Sequence, residues 1–352
     1  MTTSASTQNR RNPTIRVGIV DDSSVMRALI RRSLEAEGDF TIVGEAGDPY
    51  EARSMIKATS PDVVTLDIEM PRMNGLEFLQ KIMTLRPMPV IMVSTLTEAG
   101  ANATIEALAL GAVDCIAKPG PDHQGSFGLL PRKVRAAASA RLPSPQRPAS
   151  RPRVQSGRRY QRVIGIGAST GGVEALLRTI PLFPPDAPPT VIVQHMPRAF
   201  TKSFAERLNA RSAVTVTEAM EGDVLRAGHV YVAPGSDTHL TIKHGPQARC
   251  QLVSGDPVSG HRPSIDVMFQ SLCQGAPHSV GCLLTGMGRD GAQGLKALYE
   301  LGCPTVVQDE DTSVVFGMPR AAWEANACDR LTPIDAIAET VLSCAAQDTV
   351  SS

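Results

Sequence analysis

The sequence predicts two successive α/β units, each a mostly parallel sheet covered on both faces by helices. Three observations carry this. Short apolar runs alternate with segments of helical spacing along most of the chain. One Pro-, Ser- and Arg-rich stretch interrupts the alternation. The length of 352 residues suits two domains of ordinary size.

In the first unit, IRVGIV (15–20) reads as a buried strand. The segment 23–36 has helical spacing at Val25, Met26, Leu29, Ile30 and Leu34. TIVGEA, DVVTLD, PVIMVS and AVDCIA are further strand-like runs, with helices starting near Tyr50, Gly75 and Gly100. From His123 to Val173 there is no Asp or Glu, and the middle of that stretch is LPSPQRPASRPRVQSG. Such a composition buries too little apolar surface to offset ordering, so it reads as an extended linker. In the second unit RVIGIGAS, TVIVQ, VGCLLT and PTVVQ read as strands. GVEALLRTI, FTKSFAERLNA, IDVMFQSL and AQGLKALYELG read as helices. The turn-rich region VTEAMEGDVLRAGHVYVAPGSDTHLTI suggests a β-rich insertion of hairpins or short strands.

Composition excludes several function classes. With 35 Lys plus Arg against 35 Asp plus Glu, strong attraction to nucleic acid or anionic membrane is not expected. No apolar run is long enough to span a bilayer, and residues 1–13 are polar, unlike a secretory signal. The seven cysteines include no Cys-x-x-Cys pair and sit mostly in apolar runs, as core thiols in a reducing compartment would. A cytoplasmic protein, neither membrane-inserted nor nucleic-acid-binding, is expected.

Three acids fall at two strand ends: Asp21 and Asp22 after IRVGIV, and Asp67 after VVTL. Parallel strands bring such ends to one edge, where clustered carboxylates need a cation between them. Ser94 and Lys118 end two further strands, and a hydroxyl and an ammonium there can bind a phosphoryl group on an aspartate. Helix capping by Asp22 or Ser23 is the plain alternative. With VDDS, LDIEMPRMNGLEFL and Lys118-Pro119, the segment resembles the flavodoxin-like (βα)5 receiver domain of two-component response regulators. The resemblance implies phosphorylation of Asp67, and Mg²⁺ held by Asp21, Asp22, Asp67 and the backbone carbonyl of Glu69. Ser94 would be the switch hydroxyl, and Lys118 would sense the phosphate. Many receivers carry an aromatic three residues before the lysine; here that residue is Cys115.

In the second unit Gly167-Ala168-Ser169-Thr170-Gly171 is a Gly-x-Ser-x-Gly turn between strand and helix. It suits an exposed nucleophile, but Ser169 as a helix cap, or Gly165, Gly167 and Gly171 lining a dinucleotide, fit equally well. The next strand ends in Gln194-His195, and Asp290 lies in the glycine-rich loop after VGCLLT, where it could instead cap the following helix. Of the other histidines, His229 and His239 lie in the β-rich part and His244 in a polar turn, leaving His261 as the rival base. Serine, histidine and aspartate at three parallel-strand ends make an acyl-transfer triad. A dinucleotide-dependent oxidoreductase would need an acid where Gln194-His195 stands, and a DNA-binding output would need a basic helix-turn-helix.

GASTGG, QHMP, HRPSID, TGMGRDG and QDEDTSVVFGMPRAA together are similar to the catalytic domain of the chemotaxis methylesterase family, CheB. The resemblance implies a receiver at 14–136, a linker at 137–158 and a doubly wound, mostly parallel α/β catalytic domain at 159–347. It implies a phosphorylation-activated hydrolase that demethylates glutamate methyl esters and deamidates glutamines on methyl-accepting chemoreceptors. A chemotaxis histidine kinase would be the phosphodonor. The triad would be Ser169, His195 and Asp290, with the Met287 amide as the oxyanion contact and no cofactor for the esterase step. A receiver tethered this closely is expected to inhibit in cis until phosphorylated.

Overall fold

β1 (Ile15–Val20), β2 (Phe40–Ala46), β3 (Val63–Asp67), β4 (Val90–Ser94) and β5 (Asp114–Ala117) form one parallel sheet in the order β2-β1-β3-β4-β5. The computed structural model describes residues 14–346 apart from 71–72, 120–126, 143–161, 236 and 277. α1 (Ser24–Glu35), α2 (Pro49–Thr59), α3 (Gly75–Leu85), α4 (Glu98–Ala109) and α5 (Leu130–Ala138) cover the sheet. β3 and β4 are buried along their whole length, which is why they read as mostly apolar runs with no inside-outside alternation. The order reverses between β1 and β3, so Asp21, Asp22 and Asp67 meet at the crevice where such sheets bind ligands.

The second sheet is also parallel, in the order β14-β13-β12-β6-β7-β9-β8. Its strands are β6 (Val163–Ala168), β7 (Thr190–Gln194), β8 (Thr215–Glu218), β9 (His229–Val232), β12 (Ser279–Leu283), β13 (Thr305–Gln308) and β14 (Leu331–Thr332). The helices are α6 (Gly172–Thr179), α7 (Arg198–Asn209), α8 (Ile265–Cys273), α9 (Ala292–Glu300), α10 (Met318–Glu324) and α11 (Ile334–Ala345). The turn-rich region is less of an insertion than its sequence suggests. β8 and β9 extend the main sheet in parallel, and only β10 (Thr238–Lys243) and β11 (Arg249–Ser254) form a separate antiparallel pair. Edge position explains the weak signal: the four residues of β8 alternate exposed and buried.

The two units share an apolar core. α4 of the first packs across α6 and α7 of the second, and Ile105 and Leu108 join one buried cluster with Phe200 and Phe204. α5 continues to Ala138 with Ala137 fully buried, two residues past the expected receiver end. Arg141 then binds the second unit through its backbone N–H to the Val314 carbonyl (3.0 Å) and its guanidinium to the Glu310 carbonyl (2.8 Å). The first six residues of the expected linker therefore lie within folded structure, and 143–158 fall outside the described residues. Among the described residues, no helix is long and apolar enough to cross a membrane. All seven cysteines are free, five of them buried.

Candidate active site

Ser169 and His195 follow directly on a paired register. Ala168 of β6 lies opposite Gln194 of β7, and the His195 N–H donates to the Ala168 carbonyl at 3.0 Å. The two side chains therefore emerge together at one sheet edge. The Ser169 turn is held from three sides. Its N–H donates to the Thr285 carbonyl, and its carbonyl accepts from the Gly172 N–H and from Gln194 Nε2 (2.8 Å). Gln194 Nε2 also donates to the His195 carbonyl at 3.1 Å, so one buried amide ties both turns.

His195 Nε2 lies 2.9 Å from Asp290 Oδ2, while its Nδ1 is buried with no hydrogen-bond partner. Asp290 is buried and richly held. Its oxygens accept from the Ser264 hydroxyl (2.7 Å), the Ile265 N–H (2.8 Å) and the Asp266 N–H (3.2 Å). These amides are the open N-terminus of α8, which favours negative charge. Burial alone would raise the Asp290 carboxyl; the His195 ring, the Ile265 N–H and the Ser264 hydroxyl outweigh it and hold it at about 2. The alternatives left open by the sequence resolve in residues. Ser169 caps nothing, because α6 is capped by Gly171 at φ 78°. Asp290 does bind a helix N-terminus, but that of α8 and not of the helix that follows it.

The glycines of β6 serve packing. A Cβ at Gly165 would come within 2.5 Å of Leu272, and one at Gly167 within 2.3 Å of Ile265. Their absence lets α8 press onto the sheet, which sets its N-terminus under Asp290. Packing against α8 therefore accounts for these two glycines without a bound dinucleotide. Gln194, Ser264 and the α8 amides are site residues that motif reading missed. Gln194 stands beside the histidine in QHMP, and Ser264 lies in HRPSID.

A cavity of about 270 Å³ holds Ser169, His195, His261 and Met287 on one wall. The opposite wall is the first unit: Asp114, Cys115 and the α5 side chains Arg132 and Lys133. Asp114 clamps the two together. Its Oδ2 accepts from the Thr170 hydroxyl at 2.5 Å, next to Ser169, and its Oδ1 accepts from Lys133 Nζ at 2.6 Å. The Gly171 N–H also donates to the Val113 carbonyl at 3.2 Å.

At the other sheet edge, carboxylate oxygens of Asp21, Asp22 and Asp67 lie within 4.8 Å of one another. Lys118 Nζ sits 2.9 Å from Asp67 Oδ2 and 3.2 Å from Asp21 Oδ2. Burial pushes the Asp67 carboxyl up to about 6, with Asp21 adding to the rise and Lys118 opposing it. Ser23, not Asp22, caps α1, accepting from the Met26 N–H at 3.3 Å. Three clustered hard oxygens fit Mg²⁺. Glu69 follows β3, its N–H 3.3 Å from Asp67 Oδ1. Ser94 is turned away from the pocket: its buried hydroxyl donates to the Thr95 and Gly100 carbonyls at 3.1 and 3.2 Å. Burial pushes the Cys115 thiol up to about 12, so the residue in the usual aromatic position is a neutral core side chain.

Comparisons with known proteins match both units of the chain. Residues 17–124 match the response regulator receiver domain model, and residues 164–341 match the CheB methylesterase model. The chain is 53% identical over 338 residues, 94% of its length and 98% of the relative's, to a protein-glutamate methylesterase/protein-glutamine glutaminase of Caulobacter vibrioides. The chain belongs to the CheB methylesterase family. A Rhizobium etli relative with the same name is 52% identical over 331 residues, 93% of this chain and 95% of the relative. The Thermotoga maritima CheB methylesterase catalytic domain superposes with a TM-score of 0.50 at 37% identity, covering 52% of this chain and 97% of that one. CheB relatives thus span both sheets described above.

Proposed function

We propose that this CheB family member hydrolyses glutamate methyl esters and glutamine amides on methyl-accepting chemoreceptors, under control of phosphorylation at Asp67. One observation carries the hydrolase assignment. His195 is hydrogen-bonded to an ionised, buried Asp290, its other nitrogen is unpartnered, and Ser169 lines the same cavity.

The chemistry follows from that arrangement. With Nε2–H turned to the Asp290 carboxylate, the Nδ1 lone pair accepts the Ser169 proton as the hydroxyl attacks the acyl carbon. Asp290 stabilises the imidazolium that results. The Met287 amide, on the cavity wall, is the donor for the oxyanion. His195 then gives its proton to the departing methanol or ammonia, leaving an acyl-enzyme on Ser169. Water deprotonated by His195 releases glutamate. A methyl ester and a primary amide are both acyl donors, so one site serves both substrates. Carboxyl-methylated receptor fragment should release methanol with this protein; no methanol would refute the assignment.

In the receiver, Asp21, Asp22, Asp67 and the Glu69 carbonyl would hold Mg²⁺, which offsets the charge of the phosphoryl group that Asp67 accepts. Lys118 binds that group, and Ser94 turns toward it from its present carbonyl partners. A histidine kinase is the phosphodonor. The docked receiver is the inhibitor, since receptor helices are too bulky for the 270 Å³ cavity left between the units. What supports this reading is the clamp of Asp114 on Thr170, one residue from the nucleophile.

A further inference from the structure

His261 lies outside the triad but touches it. Val258 and His261 exchange two backbone hydrogen bonds, 2.9 and 3.1 Å, closing a two-residue turn through Ser259 (φ 53°) and Gly260 (φ 77°). This turn lays the His261 imidazole flat on that of His195, with centroids 3.8 Å apart and planes 3° from parallel. Three residues on, Ser264 donates its hydroxyl to Asp290. One short segment therefore touches both the base and the carboxylate that holds the base.

Asp290 fixes His195 at one nitrogen only. A ring held at one point can still swing about that hydrogen bond, and a swing changes the distance from Nδ1 to Ser169. We propose that His261 is a positioning residue, a flat clamp on the face of His195 that keeps Nδ1 aimed at Ser169. It takes no part in proton transfer. Burial, then the neighbouring His195, pushes the His261 imidazolium down to about 3, with Arg132 and Lys133 adding to the fall and Asp290 opposing it. The ring is therefore neutral at working pH, and a neutral ring is the partner that a developing His195 imidazolium tolerates.

The inference rests on the triad reading, so its test uses two readouts on the full chain. The first is the rate at which a fluorophosphonate probe labels Ser169, which needs the base but no receptor. The second is kcat and KM for methanol release. His261→Ala should slow both labelling and kcat roughly 10- to 100-fold, the scale of a small misplacement of reacting groups, with KM changed by less than about twofold. His261→Phe and His261→Tyr, which keep a flat ring and remove the imidazole, should restore labelling to within roughly fivefold of the parent chain. Thermal melting identifies any variant that fails to fold; two planar replacements keep the test open if one does. Ring variants as slow as His261→Ala would mean a chemical role and overturn the proposal. An unimpaired His261→Ala would overturn it too. If the parent chain is not labelled at Ser169 at all, the triad reading has failed, independently of His261.

Discussion

The molecule contains two parallel sheets, each with an ionised cluster at its C-terminal edge, and the two clusters stand in opposite conditions. In the catalytic unit the base and its carboxylate are already joined: His195 sits on Asp290, and Asp290 sits on the N-terminus of α8. On the proposed reading what is withheld is access, because Asp114, Arg132 and Lys133 line the other side of the cavity. In the receiver, Lys118 already bridges Asp67 and Asp21, but the Ser94 hydroxyl is spent on the Thr95 and Gly100 carbonyls. One site has its base and carboxylate joined and faces the other domain across a cavity; in the other, the serine is not yet turned to the acids. The difference teaches that control need not rebuild the catalytic groups. It needs to move one domain off another, and a few kcal/mol of differential binding suffices for that.

The largest effects should come from the assembled side. Ser169→Ala or His195→Ala should each lower methanol release roughly 10⁴- to 10⁶-fold, and the double variant should be no worse, because the pair works as one unit. Asp290→Asn should be roughly 10- to 100-fold less damaging than either, since the carboxylate orients and stabilises without being consumed. Additive losses in the double variant would break the triad reading.

On the receiver side, Asp67→Asn or EDTA should abolish labelling by a small phosphodonor and leave the unphosphorylated rate unchanged. Robust labelling of the asparagine variant would place the acceptor elsewhere. Between the two domains, Asp114→Asn should weaken the clamp on Thr170 and Lys133. Losing a charged hydrogen-bond partner costs about 1–3 kcal/mol, so the basal rate of the unphosphorylated chain should rise by roughly fivefold or more. No rise would mean that the clamp does not hold the site closed.

The smallest effect concerns acid stability. The Asp290 carboxyl is held at about 2 in the fold, below its ordinary value of 3.8. Its contribution is therefore present above about pH 4 and is lost as pH falls through 2, for a total of roughly 2 kcal/mol. Denaturant titrations should show this acid limb in the parent chain and a flatter one in Asp290→Asn. Equal slopes would mean that the carboxylate is not stabilised by the fold.

How much of this the sequence carried depends on the kind of signal. Residues at strand ends were legible, because a buried strand is an apolar run and the polar residue that ends it stands out. That exposed Asp21, Asp67, Ser94, Lys118, Ser169 and His195. Asp290 was found, but its partner was not: it binds the amides of a helix 25 residues earlier, and no local pattern announces such a pairing. Gln194 was read only as a residue that is not an acid, while its amide ties the two catalytic turns. β8 and β9 looked like insertion because each has only four residues, and the edge strand β8 buries one of them fully. The docking of the receiver was expected in kind, but nothing in DCIAK identified Asp114 as the clamp, since its partners Thr170 and Lys133 lie far along the chain.

The central claim is that a ready active site is covered by its own receiver. The direct measurement is the methanol-release rate of a fragment beginning near Gln155, set against the full unphosphorylated chain on the same methylated receptor. The fragment should be faster, and its rate should match that of the full chain after phosphorylation at Asp67. A fragment slower than the unphosphorylated chain would contradict the account, because the receiver would then be contributing to catalysis and not withholding it.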